Sequence, residues 1–258
     1  MYIDTHSHLT YTDKYEDVEQ IATSLQKEGI EKIINIGCTI DSSQTAIAQA
    51  EKYAGVYAAC GIHPCYVDAP AKDYLYILES LCKEKQVVAL GECGLDYHYP
   101  NYDKKQQQTI FLQQLELASS LNLPIIIHAR DCHEDMIPLL KSKQQLLKNS
   151  GVMHCFAGSL QDAEAYLSLG FYISFSGTVT FKSAKALQQV AASLPQNKIL
   201  AETDCPYLAP EPVRGTVNTP LNVKYVYHKL AALRDCSIDQ LQQDIWQNAH
   251  TLFAKLNI

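Results

Sequence analysis

The segment Pro124-Ile125-Ile126-Ile127-His128 shows the sequence pattern that most clearly indicates the fold class. Its three consecutive isoleucines carry no charge and show no alternation of apolar and polar residues. Such a run is typical of a strand that is covered on both faces, as in a parallel sheet. The histidine that follows would lie at the carboxyl end of a buried strand, where α/β barrels build their active sites.

Seven further runs of this kind are spread along the chain. Together they predict eight strands, at residues 2–5, 32–37, 56–61, 87–92, 124–128, 151–156, 171–177 and 198–203. Most of the runs are separated by amphipathic stretches with helical spacing, and Asp103, Thr219 and Ser237 occupy positions typical of helix N-caps. This alternation predicts a (β/α)8 TIM barrel, an α/β fold, as one domain over residues 1–258. A doubly wound open sheet is the alternative.

The composition excludes several classes of protein. With 47% hydrophobic residues, the chain is neither disordered nor collagen-like, and no apolar run approaches the ~20 residues of a membrane-spanning helix. The net charge of −7 gives no general attraction to nucleic acid or to an anionic membrane, so nucleic acid would need a local cation or a metal. Nine cysteines without a Cys-x-x-Cys pair, and an N-terminus without a signal pattern, indicate a cytoplasmic protein whose reduced thiols are small packing residues.

The segment Asp4-Thr5-His6-Ser7-His8, at the end of the first predicted strand, is the strongest local signal for chemistry. Because side chains alternate along a strand, His6 and His8 point to the same side and can chelate one metal ion. Two ordinary histidines are the simpler interpretation when this pair is taken alone. Four polar residues that end or interrupt other predicted strands favour the metal: Glu92, His128, His154 and Asp204.

A single metal site shared by these six residues explains their positions better than six unrelated structural roles do. A buried charge or imidazole at a strand end is costly unless it is paired or bound to metal, and the strand ends of a barrel converge on one face. Four imidazoles and two carboxylates exceed the three protein ligands of a single catalytic zinc. They suit two divalent ions bridged by a carboxylate. We therefore predict two divalent metal ions per chain, with Mg, Mn and Zn as candidates.

These residues also lie in motifs whose order and spacing resemble the TatD family of metal-dependent deoxyribonucleases, within the amidohydrolase-like barrels. The resemblance covers nearly the whole chain. It rests on the segments Asp4-Thr5-His6-Ser7-His8, Gly61-Ile62-His63-Pro64, Gly91-Glu92-Cys93-Gly94-Leu95-Asp96-Tyr97, Ile127-His128-Ala129-Arg130, His154-Cys155-Phe156 and Glu202-Thr203-Asp204-Cys205-Pro206-Tyr207-Leu208. Members of this family cut DNA, often single-stranded, from the 3′ end.

The resemblance implies a role for each of these positions. The implied metal ligands are His6, His8 and Asp204 at a first ion, His128 and His154 at a second ion, and Glu92 between the two. His63 matches a family position near the substrate phosphate.

The predicted mechanism is a two-metal hydrolysis of phosphodiester bonds. Asp204 would act as general base as well as ligand, and Glu92 would bridge the metals. His63, Arg130 and Arg214 would offset the charge that builds up on the phosphoryl oxygens. The planar guanidinium of Arg130 suits a phosphate, and a structural salt bridge is the alternative for it.

The loop after the eighth predicted strand departs from the family pattern, which usually reads Arg-Gly-Lys-x-Asn-Glu-Pro. The corresponding stretch is Arg214-Gly215-Thr216-Val217-Asn218-Thr219-Pro220, so Thr216 replaces the Lys and Thr219 replaces the Glu. The change removes one cation beside the expected site. The loss of this cation would affect the affinity for DNA or the rate of its cleavage, and it leaves the predicted metal ligands intact.

We therefore predict a metal-dependent deoxyribonuclease that acts as a 3′–5′ exonuclease on single-stranded DNA. It would be a cytoplasmic protein, with a monomer favoured, that binds DNA weakly and locally and has no membrane partner. One alternative is an amidohydrolase-type enzyme that cleaves a small amide, lactone or aminoacyl ester, which Thr216 mildly favours. Another is a metal-binding protein without turnover, against which the complete set of ligand residues argues.

Overall fold

The computed structural model describes residues 1–67 and 72–257. The strands in these residues form one parallel sheet, in which each strand pairs with the next along the chain. Their bounds are β1 Tyr2–Ser7, β2 Ile30–Ile36, β3 Val56–Cys60, β4 Val87–Asp96, β5 Ile125–Arg130, β6 Gly151–Met153, β7 Tyr172–Phe175 and β8 Ile199–Ala201. The short apolar runs of the sequence thus become the eight neighbouring strands of a barrel wall.

Helices follow the strands in alternation, and β8 is followed by two of them. Their bounds are α1 Val18–Ser24, α2 Ile40–Lys52, α3 Tyr74–Cys82, α4 Lys104–Ser120, α5 His133–Ser142, α6 Leu160–Ser168, α7 Lys185–Ser193, α8 Val223–Leu233 and α9 Ile238–Leu252. Two predicted caps are confirmed, since the side chains of Asp103 and Ser237 accept hydrogen bonds from backbone amides at the starts of α4 and α9. Thr219 makes no such bond, and Pro220 instead opens a short 3₁₀ turn before α8.

Hydrogen bonds between the first and last strand regions bring the two ends of the sheet together. The amide of Asp204 donates to the carbonyl of His6, and the amide of His8 donates to the carbonyl of Cys205, both at 2.9 Å. The nearly closed sheet with alternating helices confirms the predicted TIM barrel, and the doubly wound alternative is wrong. The closure also places Asp204 beside the His-x-His segment, because its backbone is bonded directly to that of β1.

The apolar side chains of the strands and helices form one large core around the barrel. Polar groups interrupt this core beneath the carboxyl ends of β1 and β8. There the buried carboxylate of Asp4 accepts hydrogen bonds from the backbone amide of Thr203 at 2.9 Å and from that of His6 at 3.2 Å. These bonds hold the backbone just below the polar residues at the barrel mouth. Among the described residues, no helix has both the length and the apolar character needed to cross a bilayer.

Candidate metal centre and active site

The structure brings the two histidines of the first strand together with two carboxylates. The Nε2 atoms of His6 and His8 are 3.1 Å apart, as expected for side chains on one side of β1. One carboxylate oxygen of Asp204 lies 3.4 Å from Nε2 of His8, and one of Glu92 lies 3.4 Å from Nε2 of His6. His6 lies in β1, His8 follows it directly, Glu92 lies in β4 and Asp204 lies in the loop after β8. We refer to these four residues as the first ligand group.

A second group forms at the ends of β5 and β6. Nδ1 of His128 lies 3.3 Å from Nε2 of His154. The other carboxylate oxygen of Glu92 lies 2.9 Å from this Nδ1 atom and 2.6 Å from this Nε2 atom. Glu92, which is only 3% exposed, therefore stands between the two groups and turns one oxygen to each. We refer to His128, His154 and Glu92 as the second ligand group.

The donor set fits divalent cations. Within each group two imidazole nitrogens face each other at hydrogen-bond distance and also face carboxylate oxygens. The ligand atoms of His6, His8 and Glu92 all lie within 4.8 Å of one another, which a single ion could span. Buried imidazoles and carboxylates that converge on one point are the ligands that Zn, Mn and similar ions take up. The residues present therefore suit a metal on each side of Glu92.

The electrostatics of the site keep the carboxylates of Glu92 and Asp204 charged. Burial opposes ionisation of Glu92, but the neighbouring imidazoles of His154, His63 and His6 outweigh burial and hold its pKa well below the usual range. Burial also opposes ionisation of Asp204, and the nearby imidazoles again outweigh it and lower its pKa. Both side chains can thus supply the negative charge that offsets bound cations.

Two further carboxylates, to which the sequence motifs assign no role, lie behind the second ligand group. Asp96 lies 2.9 Å from Nε2 of His128, and Glu202 lies 3.2 Å from Nδ1 of His154. Glu202 also accepts a hydrogen bond from the amide of Cys155 at 2.7 Å. In both histidines the nitrogen that faces Glu92 is thereby left free to bind a metal. In the sequence, the only sign of these two acids was their place in the motifs. Glu202 stands two positions before Asp204, and Asp96 stands four positions after Glu92.

His63 is oriented differently from the other histidines. Its Nδ1 accepts a hydrogen bond from the amide of Cys65 at 3.0 Å, so the proton of the neutral ring sits on Nε2. That Nε2 lies 3.5 Å from Glu92 and faces the second ligand group. Burial lowers the pKa of His63 to about 3, which keeps the ring neutral. His63 is therefore built as a hydrogen-bond donor toward the site.

All members of the two ligand groups except the fully buried His6 line a cavity of about 390 Å³. The residues around it include His63 and Arg130 from the predicted substrate-binding set, together with Cys38 and the tyrosines Tyr11, Tyr66, Tyr99 and Tyr207. Cys38 is buried, as expected of a packing residue, but its sulfur lies 3.7 Å from both His8 and Glu92. Nothing in its local sequence sets it apart from the other cysteines.

Arg214 does not line this cavity. Its guanidinium lies over the ring of Phe181, 4.3 Å from the centroid, and 3.9 Å from the carboxylate of Glu211. Thr216 is exposed and donates a hydrogen bond to the carbonyl of Val213, so the replacement of the family Lys also falls outside the cavity lining. The structure thus brings Arg130 and His63 to the ligand groups and leaves Arg214 apart from them.

Comparison with known proteins places this barrel and site in a family. Residues 3–254 match the family model of the TatD related DNases. The chain is 39% identical over 254 residues to the uncharacterized metal-dependent hydrolase YabD of Bacillus subtilis (strain 168), an alignment that covers 98% of this chain and 99% of that protein. It also superposes on the crystal structure of YjjV, a TatD homolog from Escherichia coli K12, with a TM-score of 0.93, 33% identity and 98% of each chain covered.

A more distant relative carries a specific description. The 3′-5′ ssDNA/RNA exonuclease TatD of Klebsiella pneumoniae (strain 342) is 29% identical over 250 residues, with 95% of each chain covered. A TIM barrel with imidazoles and carboxylates at its strand ends defines the class of metal-dependent hydrolases. Within that class, the chain belongs to the TatD family, which confirms the resemblance inferred from its motifs.

Proposed function

We propose that this metal-dependent hydrolase is a two-metal nuclease that removes nucleotides from the 3′ end of single-stranded DNA. The single observation that carries the proposal is the position of Glu92. One of its oxygens faces His6 and His8, and the other faces His128 and His154. A carboxylate shared in this way is the usual bridge between two ions in enzymes that cleave phosphodiesters.

The expected ligands of the first ion are His6, His8 and Asp204, those of the second are His128 and His154, and Glu92 is shared. When bound, the ions supply Lewis acidity, which acidifies water and offsets negative charge on phosphoryl oxygens. The nitrogen-rich donor set favours Zn or Mn on affinity, and Mg is favoured by its abundance in cells.

The chain's own residues supply the remaining chemistry. Asp204 is 15% exposed and lines the cavity, whereas Glu92 is almost fully buried, so Asp204 is the carboxylate that can take a proton from water. The Nε2 proton of His63 can be donated to a phosphoryl oxygen. Among the described residues, no carboxylate lies within ion-pair distance of the Arg130 guanidinium, which leaves its planar fork available for a phosphate.

The direction of cleavage and the choice of a single strand are supported by a relative. The Klebsiella pneumoniae protein is named a 3′-5′ ssDNA/RNA exonuclease and aligns over almost the whole of this chain. The acidic net charge of −7 favours weak binding of the strand at the site itself over binding along an extended basic groove.

A second candidate is hydrolysis of a small amide, lactone or aminoacyl ester. Arg130 is the only lysine or arginine among the described residues that line the cavity. A polyanionic substrate would find one cationic side chain there besides any bound metal. A substrate with less charge would be accommodated by the same ligand groups.

A labelled single-stranded oligonucleotide tests the proposal. The 5′-labelled strand is incubated with the protein and Mg, Mn or Zn, with and without EDTA, alongside Glu92→Gln and Glu164→Gln variants. Glu164 is exposed on α6 and serves as the matched control. We expect a ladder that shortens from the 3′ end, is lost in EDTA and in Glu92→Gln, and persists in Glu164→Gln. No cleavage by protein that holds two metals per chain contradicts the nuclease and directs the search to esters and amides.

A further inference from the structure

We propose that Tyr11, Tyr66 and Tyr207 form a stacking subsite for an unpaired nucleobase beside the scissile phosphate. We call these three residues the tyrosine rim. The inference rests on the proposed function, because it names how the same site would hold a single strand. It also assigns a role to aromatic residues that take no part in holding metal.

The rim continues the site outward from its histidines. The ring of Tyr11 stacks on that of His8, with centroids 5.1 Å apart and planes 19° apart. Tyr207 meets Tyr11 edge to face at 6.2 Å, and Tyr66 meets His63 edge to face at the same distance. The rings of Tyr11 and Tyr66 therefore lie one aromatic layer above the histidines of the site, and the ring of Tyr207 lies one layer further out, beside Tyr11.

The rim leaves large aromatic surfaces in contact with solvent. Tyr66 is 47% exposed and Tyr207 is 53% exposed, although both line the cavity. Tyr102, another exposed tyrosine, differs because its ring already stacks on Tyr97, with centroids 4.6 Å apart. Exposed aromatic area that converges on one cavity is a feature of binding sites rather than of ordinary surface.

The cavity lining also carries positive charge. Arg130 lies with its guanidinium 5.4 Å from the centroid of the Tyr99 ring, and both residues line the cavity. A nucleic acid strand alternates planar bases with phosphates, so it presents a ring for the rim and an anion for Arg130 and the ligand groups.

Stacking on the rim requires a base whose face is free. Bases inside a duplex are stacked on one another, whereas the end of a single strand can turn a base toward the protein. Because every base has a π-face, the rim would select unpaired strands without selecting a particular sequence. We therefore assign to the rim the preference for single strands in the proposed reaction.

Tyr207 is the most informative residue to change. Its amide donates a hydrogen bond to the carbonyl of Asp204 at 3.2 Å, which holds its backbone beside that of the proposed general base. Tyr207→Ala removes the ring, and Tyr207→Phe keeps the ring and removes only the hydroxyl. Tyr76, which is 76% exposed on α3 and does not line the cavity, provides Tyr76→Ala as the matched control.

The test compares two oligonucleotides that differ only in whether the residues at the 3′ end carry bases or are abasic. Binding is measured by fluorescence anisotropy with phosphorothioate linkages that resist cleavage, and release of the first nucleotide is measured with ordinary linkages. We expect the wild-type protein to bind the base-bearing strand roughly 10-fold more tightly than the abasic strand. Tyr207→Ala should reduce this ratio to near one, whereas Tyr207→Phe and Tyr76→Ala should retain it.

Equal affinity of the wild-type protein for both strands overturns the subsite, as does failure to bind either. If Tyr207→Ala loses the same factor of affinity for both strands, the subsite is also overturned, because the ring would then support the fold and not contact a base. If the wild-type protein discriminates between the strands but cleaves neither, the subsite stands and the nuclease proposal fails. If it cleaves both at the same rate and binds them equally, the nuclease proposal stands and the subsite fails.

Discussion

The carboxylate of Asp96 lies 2.9 Å from Nε2 of His128, on the opposite side of the imidazole from Glu92. A carboxylate in this position accepts a hydrogen bond from Nε2–H of the neutral ring and so leaves Nδ1 unprotonated toward Glu92. The pair therefore fixes both the tautomer and the orientation of a proposed metal ligand. Glu202 is placed in the same way behind His154, so both histidines of the second ligand group have an acidic support.

Asp96→Asn should weaken binding at the second metal by about 10- to 100-fold, because a neutral amide makes the imidazole a poorer ligand. Metal titration against a chromophoric chelator measures the change. Asp131→Asn is the control, since Asp131 is exposed and its partner His98 lies outside the ligand groups. Unchanged affinity at the second site in Asp96→Asn would show that the carboxylate has no part in metal binding.

His63→Ala should lower kcat/KM on an oligonucleotide by about 10²- to 10³-fold, which is typical when one donor to a developing oxyanion is removed. Metal content should stay at the wild-type level, because the proton on Nε2 makes His63 a donor rather than a ligand. His63→Gln keeps an N–H donor and should retain more activity than His63→Ala. Loss of metal from His63→Ala would instead make His63 a ligand.

Removal of metal should destabilise the folded chain. Ligand present at a thousand times its dissociation constant stabilises by about 4 kcal/mol, which shifts the Tm of a chain of this size by on the order of 10 °C. Differential scanning calorimetry with Mn and with EDTA measures this shift. Glu92→Gln should show a much smaller shift, because it disrupts both ligand groups. An equal shift in wild type and Glu92→Gln would mean that the ions bind elsewhere.

Stability should fall below neutral pH in part through His133, which lies outside the ligand groups. Its Nδ1 lies 2.8 Å from the hydroxyl of the buried Tyr166, and burial lowers its pKa below 6.5 against the opposing charges of Asp162 and Asp131. As the pH falls, His133 is therefore protonated in the unfolded chain before it is protonated in the folded chain. The contribution of neutral His133 is complete above about pH 6.5 and is lost as the pH falls toward its folded-state pKa.

His133→Leu should cost about 1–3 kcal/mol in urea unfolding at pH 7.5, because it leaves the Tyr166 hydroxyl unpaired. The difference between wild type and His133→Leu should shrink at pH 5.5. Comparing the two proteins removes the contribution of the other titrating groups. A difference that stays constant between the two pH values would show that His133 does not titrate in this window.

The barrel was predictable because each strand is an apolar run, but the strand ends were not. The predicted fourth strand ended at Glu92, where the apolar run ends, yet β4 continues to Asp96. Gly91 and Gly94 have φ values of +140° and +149°, and a Cβ at either would collide with the backbone of β5. Conversely, β6 ends at Met153, before Cys155, which adopts a φ of +42°.

Convergence of the six proposed ligands also followed from the sequence, because polar residues at strand ends meet at one face of a barrel. The supporting acids Asp96 and Glu202 could not be assigned in the same way. Their roles depend on which nitrogen of a histidine each one faces, and this is set by the packing of neighbouring strands. The proximity of Cys38 to His8 depends likewise on the approach of β2 to β1.

Anomalous scattering from a crystal grown with Mn would show directly whether two metal ions share Glu92. We expect two peaks, one on each side of the Glu92 carboxylate, with the first beside His6, His8 and Asp204 and the second beside His128 and His154. Glu92→Gln should reduce the occupancy of both peaks. A single peak, or peaks that do not share Glu92, would contradict the bridged two-metal site on which the proposed nuclease rests.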